Sequence, residues 1–600
     1  MVLCPIYQLN KLRKKMKTLL TLIILSIVIS AQNFDERWIT EFENSKFTKT
    51  ASYEETINYF RQFADEFDEI EMHRFGVSPQ GRELYYVIID KDKKFDPSEK
   101  NKPVVLIENG IHSGEIEGKD ACMLLLREIF VEKKNEHLLD NITLIIIPVF
   151  NVDGHERKSK YNRINQNGPK EMGWRTTAQN YNLNRDFAKA DAPEMRSLLK
   201  LFSTWKPEIF IDSHTTDGLD YQYVMTYGIE KYQTTRNVIA EWVKNEFINY
   251  FETEMEERGF LTAPYFSYLS KDYFSTDPLD GVTEWVSLPR FSHGYAAFQN
   301  RIGLLLETHM LKPYKDRVFA TKAAVEIVLE MVNNNPEKFV KMIEQADNEA
   351  IENFYIEKKY LPLEFESTDE YVEFNFKGFE LHKYFSDISG SEITTYSNKK
   401  FEAPIKYYNK KKVVDSVSVP DGYIIPKEWI DIVDILKLHG VEIDTLGRQK
   451  HFVVETYKFT DVEFAQASFE GRQNVKADYI VLRDTIETNE GDYFISTNQR
   501  LVPLIVHLLE PKAADSFFRW GFFNSVLERK EYFEMYSMEP IARKMIEQNP
   551  ELKKEFEEKL KDDEEFRNDP RARLNFFYER SPYFDVKYKV YPVLRVVNEL

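Results

Sequence analysis

The chain has 600 residues, 42% hydrophobic and 30% charged. Those are the proportions of a folded, water-soluble chain too long for one ordinary core, so at least two domains are expected. A net charge of -19 at pH 7 excludes a broad basic footprint for nucleic acid and disfavours anionic membrane surfaces.

The first 31 residues contain Lys11, Arg13, Lys14, Lys15 and Lys17 with no acid, then the apolar run Leu19 to Ile29, then Ser30-Ala31-Gln32. A basic start, a short apolar run and small residues after it predict a secretory signal at 1–31, too short to span a bilayer comfortably. The mature chain is then expected outside the cytoplasm, periplasmic or extracellular, without stable membrane insertion. Losing the signal removes Cys4 and leaves Cys122, so no intramolecular disulfide is expected. Met16 also begins a more typical signal.

Tyr53 to Phe67 places apolar groups at helical spacing, and Glu71 to Gly76 with Leu84 to Ile89 read as a hairpin around Pro79-Gln-Gly-Arg82. Val104 to Ile107 is a buried strand that stops at Asn109-Gly110, a turn signal. His112 and Glu115 follow directly, and 117–130 reads as a helix. Ile142 to Phe150 is a second buried strand, leading into Asn151-Val-Asp-Gly154 and a long polar segment that holds Arg175 and Asn184-Arg185. Helix Pro193 to Phe202 leads to the strand Pro207 to His214; strand Ile302 to Leu306 ends on Glu307, and helix Ala320 to Asn333 follows. This alternation predicts an α/β fold, a mixed and largely parallel sheet flanked by helices. The domain it forms is expected over 32–340.

Composition changes after Asn335-Pro336. Tyr371 to Phe376 and parts of 412–419 alternate at period two, 427–438 and 501–509 read as helices, and 550–573 reads as one exposed, charge-rich helix. Residues 341–600 are expected to form an accessory α+β region set apart from the chemistry.

Chemistry in such sheets collects at the carboxyl ends of strands. His112 and Glu115 stand at one such end, His214 at another and Glu307 at a third. A His/Glu/His set suits zinc and leaves a position open for water, with Glu307 as a spare carboxylate nearby. His73, His293 and His309 have structural explanations.

His112-Ser-Gly-Glu115, Asn151-Val-Asp-Gly154, Arg175, Asn184-Arg185, His214 and Leu306-Glu307 occur in this order. In that order and context, residues 50–335 resemble the zinc metallocarboxypeptidases related to carboxypeptidase A, and Gly81-Arg82 resembles that family's early Gly-Arg. The resemblance implies one Zn2+ held by His112, Glu115 and His214. It also implies a substrate carboxylate held by Asn184 and Arg185, Arg175 facing the scissile carbonyl, and Glu307 as general base. The implied substrate is a peptide with a free C-terminal carboxylate. Two features depart from the pattern. Asn182 stands where secreted relatives often have an aspartate supporting a zinc histidine, and Tyr268, Tyr273 and Tyr295 compete for the active-site tyrosine. A zinc amidase or deacylase acting on cell-wall peptides or amino-acid conjugates is the alternative, and a non-catalytic binding module the third reading.

Overall fold

The computed structural model describes residues 36–599 except 233, 270–276 and 448–449; the expected signal at 1–31 lies outside the described residues. Eight strands form the central sheet: β1 Ile70–Val77, β2 Glu83–Ile89, β3 Val104–Asn109, β4 Thr143–Ile147, β5 Ile209–Thr216, β6 Met225–Ile229, β7 Thr262–Pro264 and β8 Ile302–His309. Their order is β1-β2-β4-β3-β5-β8-β6-β7. The run β4-β3-β5-β8 is parallel, while β1, β2 and β6 join antiparallel. The mixed α/β expectation therefore holds, with the parallel strands in the middle where both faces are buried.

Side-chain alternation divides β3 between two cores. Val105 and Ile107 pack with the helices Glu117–Leu126 and Tyr314–Asn334, and Val104 and Leu106 pack with helix Pro193–Trp205. The strand expected to reach Phe150 ends at Ile147, because Pro148 has no amide hydrogen to continue the ladder. The helix expected from Ala320 starts at Tyr314, just after Pro313.

Residues 341–600 include a six-stranded sheet and a long hairpin, Val372–Ser386 with Ser391–Tyr408, which adds to two short strands at 267–268 and 282–283. The single helix expected over 550–573 is instead three, Pro550–Asp562, Glu564–Asn568 and Pro570–Tyr578. Asp563 and Asp569 cap the second and third by accepting hydrogen bonds from Phe566 N and Ala572 N, and Phe556, Phe566 and Phe576 give the group its own small core.

Residues 341–600 pack against the first part of the chain. Leu198, Phe202 and Tyr295 share one core with Leu436, Leu504, Leu508 and Phe518. Asp515 pairs with Arg290 at 2.6 Å, and Glu470 accepts a hydrogen bond from the backbone N–H of Asn182 at 3.3 Å. Both contacts lie on segments that lead into the strand-end cleft described next. The composition of 341–600 could not show this, since the pairs are separated by more than two hundred residues.

Candidate metal centre and cleft

The chain leaves β3 through Gly110, whose φ of +71° is a conformation that favours glycine. The turn that follows is closed by Glu115 N–H donating to His112 O at 2.8 Å. Gly118, in the first turn of the next helix, has no room for a side chain, since a Cβ there would sit 2.0 Å from Asn109 Oδ1. The turn is thus held against the strand end. His214, near the end of β5, is paired in parallel register with Glu307 on β8, so three sequence-distant segments converge at one edge.

The convergence is close. His112 Nδ1 lies 3.2 Å from Glu115 Oε1, and His214 Nδ1 lies 3.0 Å from Glu115 Oε2. One donor atom from each residue lies within 4.8 Å of the other two. Both imidazoles are fixed from behind. Asn182 Oδ1 accepts from His112 Nε2 at 2.9 Å, and Asp212 Oδ2 accepts from His214 Nε2 at 2.6 Å. With hydrogens on both Nε2 atoms, the Nδ1 lone pairs point at the gap, and buried His112 Nδ1 has no hydrogen-bond partner. An orphaned buried nitrogen beside a carboxylate and a second imidazole fits a cation of the zinc type.

The electrostatics are those of a site organised around positive charge. Glu115 is buried, which alone would raise its pKa, but His112 and Arg163 outweigh burial and hold it well below the usual carboxylate range. Arg163 Nη2 donates to its Oε1 at 2.5 Å, Arg175 Nη1 at 3.3 Å, and Thr215 N–H to its Oε2 at 3.0 Å. Burial pushes His112 down to about 4. Burial would lower His214 too, but Asp212 and Glu115 hold it well above the usual imidazole range. Burial pushes Glu307 up to about 8, with His214 opposing and Glu115 and Asp212 adding to the rise.

His112, Glu115, His214 and Glu307 line one cleft of 480 Å³ together with Arg175, Asn184, Arg185, Tyr265, Trp285, Phe291, His293 and Leu305. All seven expected site residues are therefore brought together. Arg185 stacks on Phe291, its guanidinium carbon 4.4 Å from the ring centroid, and donates to Asn184 O at 2.6 Å. Asn184 Oδ1 accepts from Ser292 N–H at 3.3 Å. The family profile for zinc carboxypeptidases, peptidase M14, matches residues 56–259, a span that holds both histidines, Glu115 and both arginines. Residues 56–259 are thus similar to a zinc carboxypeptidase domain.

The chain also has curated relatives of similar extent. It is 23% identical to carboxypeptidase 2 of Trichophyton rubrum over 494 residues, covering 79% of this chain and 84% of that one. It is 22% identical to carboxypeptidase 2 of Trichophyton tonsurans over 461 residues, covering 74% and 78%. Among solved structures, carboxypeptidase A from Helicoverpa armigera aligns over 55% of this chain and 81% of its own at 17% identity, with a TM-score of 0.36. The amidase or deacylase alternative is not favoured, since these relatives are carboxypeptidases by name.

Several residues in or behind the cleft were not singled out from sequence. Asp212 was within reach, because residues two apart on a strand share a face and His214 was already a candidate. Arg163, Trp285 and Phe291 carry no local signal. Of the three competing tyrosines, Tyr295 is fully buried with its hydroxyl 3.1 Å from His439 Nδ1. Tyr268 lines a neighbouring recess with His309, and Tyr273 lies outside the described residues. Tyr265, not among the three, lines the cleft itself. His309 has the structural role expected, packed edge-on to Tyr221 at 4.5 Å. His293 does not; it lines the cleft. Among the described residues no helix is long and apolar enough to cross a membrane.

Proposed function

We propose that this enzyme is an exported exopeptidase that removes C-terminal residues from peptides, with His112, Glu115 and His214 holding one zinc ion. The observation that carries the reading is Arg185. Its guanidinium lines the same cleft as Glu307 and the His/Glu/His set, and among the described residues no carboxylate pairs with it. Leaving an arginine half-buried and unpaired is costly unless a ligand supplies the anion, and a terminal carboxylate matches its fork. Export rests on the basic and apolar pattern of residues 1–31.

When bound, zinc polarises the scissile carbonyl and lowers the pKa of water to about 7. The chain's own groups do the rest. Arg185, with Asn184 beside it, holds the terminal carboxylate and so sets the scissile bond one residue inward. The Glu307 carboxylate takes the proton of the attacking water and returns it to the departing amine. Its burial suits this exchange, because a carboxyl raised from its ordinary range is a stronger base near neutral pH. Arg175, partly exposed at the cleft edge, donates to the carbonyl oxygen as negative charge develops there.

The test is a pair of peptides identical except for a free or an amidated C-terminus. The free acid should be cleaved with kcat/KM on the order of 30- to 4,000-fold higher, the range expected for losing a charge-assisted buried contact. Arg185→Ala should remove most of that difference, chiefly through KM. Equal cleavage of both peptides by the wild-type enzyme would overturn the exopeptidase reading.

A further inference from the structure

The cleft continues below Glu307. Side chains alternate along a strand, so Leu305 shares the face of Glu307 and lies about 7 Å deeper along β8, away from the strand's carboxyl end. Both residues line the cleft. Two glycines flank Leu305, Gly303 on β8 itself and Gly228 opposite Leu305 on β6. A Cβ at Gly228 would lie 3.3 Å from Leu305 Cβ and 3.6 Å from His293 Nε2, and one at Gly303 would strike the His293 backbone at 2.6 Å. The absence of these side chains is what lets His293 reach the floor.

The walls there are aromatic. The His293 ring meets Trp285 edge-on, centroids 5.5 Å apart at 89°, and Trp285 packs on Phe291 at 4.7 Å. Phe291 in turn carries the Arg185 guanidinium, so the recess opens beside the proposed carboxylate anchor. A residue held by that anchor has its side chain at the mouth of this recess.

His293 is 5% exposed, yet its Nδ1 is buried without a hydrogen-bond partner, and among the described residues no group pairs with either ring nitrogen. Burial keeps the imidazole neutral in the physiological range. Trp285, Phe291, Leu305 and a neutral imidazole offer no counter-charge to a lysine, arginine or acidic side chain. They offer flat apolar contact and one unspent hydrogen-bonding group at the bottom.

We propose, on the exopeptidase reading above, that this recess takes the side chain of the substrate's C-terminal residue and that His293 selects tyrosine by pairing with its phenolic hydroxyl. A phenol both donates and accepts, so it satisfies the imidazole in either tautomer. Its ring fits aromatic walls, and its hydroxyl stands at the far end of the side chain. Phenylalanine fills the same walls but leaves the histidine unpaired. Sites built to hydrogen-bond a substrate hydroxyl discriminate strongly against the analogue that lacks it.

The experiment uses the full-length zinc-loaded enzyme and N-acyl dipeptides that differ only in the last residue: tyrosine, phenylalanine, leucine, lysine or glutamate, with an amidated tyrosine control. Tyrosine should exceed phenylalanine in kcat/KM on the order of 10- to 100-fold, with lysine and glutamate lower still. His293→Leu should bring the tyrosine-to-phenylalanine ratio to one or below at unchanged zinc content, and His293→Gln should restore part of it. Equal use of phenylalanine and tyrosine by the wild-type enzyme, or a preference for lysine or glutamate, overturns the role of His293 while leaving the exopeptidase reading in place. Cleavage of the amidated control as fast as the free acid overturns both. Should His293→Leu not fold, the wild-type ratio alone decides.

Discussion

The two histidines proposed as zinc ligands are held by different groups, and that contrast yields a quantitative prediction. His112 is oriented by an amide oxygen, Asn182 Oδ1 at 2.9 Å; His214 is oriented by a carboxylate, Asp212 Oδ2 at 2.6 Å. A carboxylate makes the imidazole a stronger ligand and fixes its tautomer, and losing such a partner costs roughly 10- to 100-fold in metal affinity. Asp212→Asn keeps an acceptor and loses only its charge, so it should fall near the lower end, about 10-fold or 1.4 kcal/mol. Asp212→Ala leaves the buried Nε2–H unpaired and should approach about 100-fold. Glu108 faces Asp212 across the β3–β5 pairing, and burial, with the charge of Asp212 adding, holds its carboxyl well above the usual range. The converse change, Asn182→Asp, should tighten zinc binding by supplying the missing charge behind His112. The assay is competition for zinc against a chromogenic chelator at fixed pH, with the folded state followed by circular dichroism. Wild-type affinity in a folded Asp212→Ala protein would refute the reasoning, as would weaker binding in Asn182→Asp.

Glu307→Gln should lower kcat by roughly 100- to 10,000-fold with zinc content and KM little changed, and single-turnover kinetics with metal analysis check both. Asp515→Ala should raise KM while leaving zinc bound, because Asp515 fixes Arg290 at 2.6 Å just before Phe291, on which Arg185 rests; an unchanged KM would show that residues 341–600 do not shape the cleft. Glu230 gives a pH prediction. Burial pushes its carboxyl up to about 7 from an ordinary value of 4.5, against the opposing bonds from Ser287 N–H and Thr234 Oγ1. A raised folded-state pKa means that its contribution is fully present below pH 4.5 and lost as pH rises through 7, a loss of about 3 kcal/mol. Glu230→Gln should remove that part of the slope, so urea midpoints at pH 5 and pH 8 should differ less in the variant than in wild type. An equal or larger difference would rule out Glu230 as the source.

The catalytic sheet was legible because its signals are local. The apolar runs of β3, β5 and β8, each ending on a ligand-type residue, specify strands whose exits carry chemistry, and the three-residue spacing of His112 and Glu115 lies within one turn. The family resemblance, not spacing alone, implied that Asn182 could stand behind a ligand histidine. Three things were decided only by tertiary structure. His293 has no strand-end signal, and it reaches the cleft only because Gly228 and Gly303, on two other segments, leave room for it. Tyr265 lines the cleft, while packing buries Tyr295 and turns Tyr268 into a neighbouring recess. Glu470 and Asp515 meet Asn182 and Arg290 across more than two hundred residues, through a core shared by both halves of the chain. Periodicity and turn chemistry act over a few residues and are written in the order of the amino acids. Which distant surfaces close on one another depends on the summed burial of many apolar side chains, and no short stretch of sequence carries that sum.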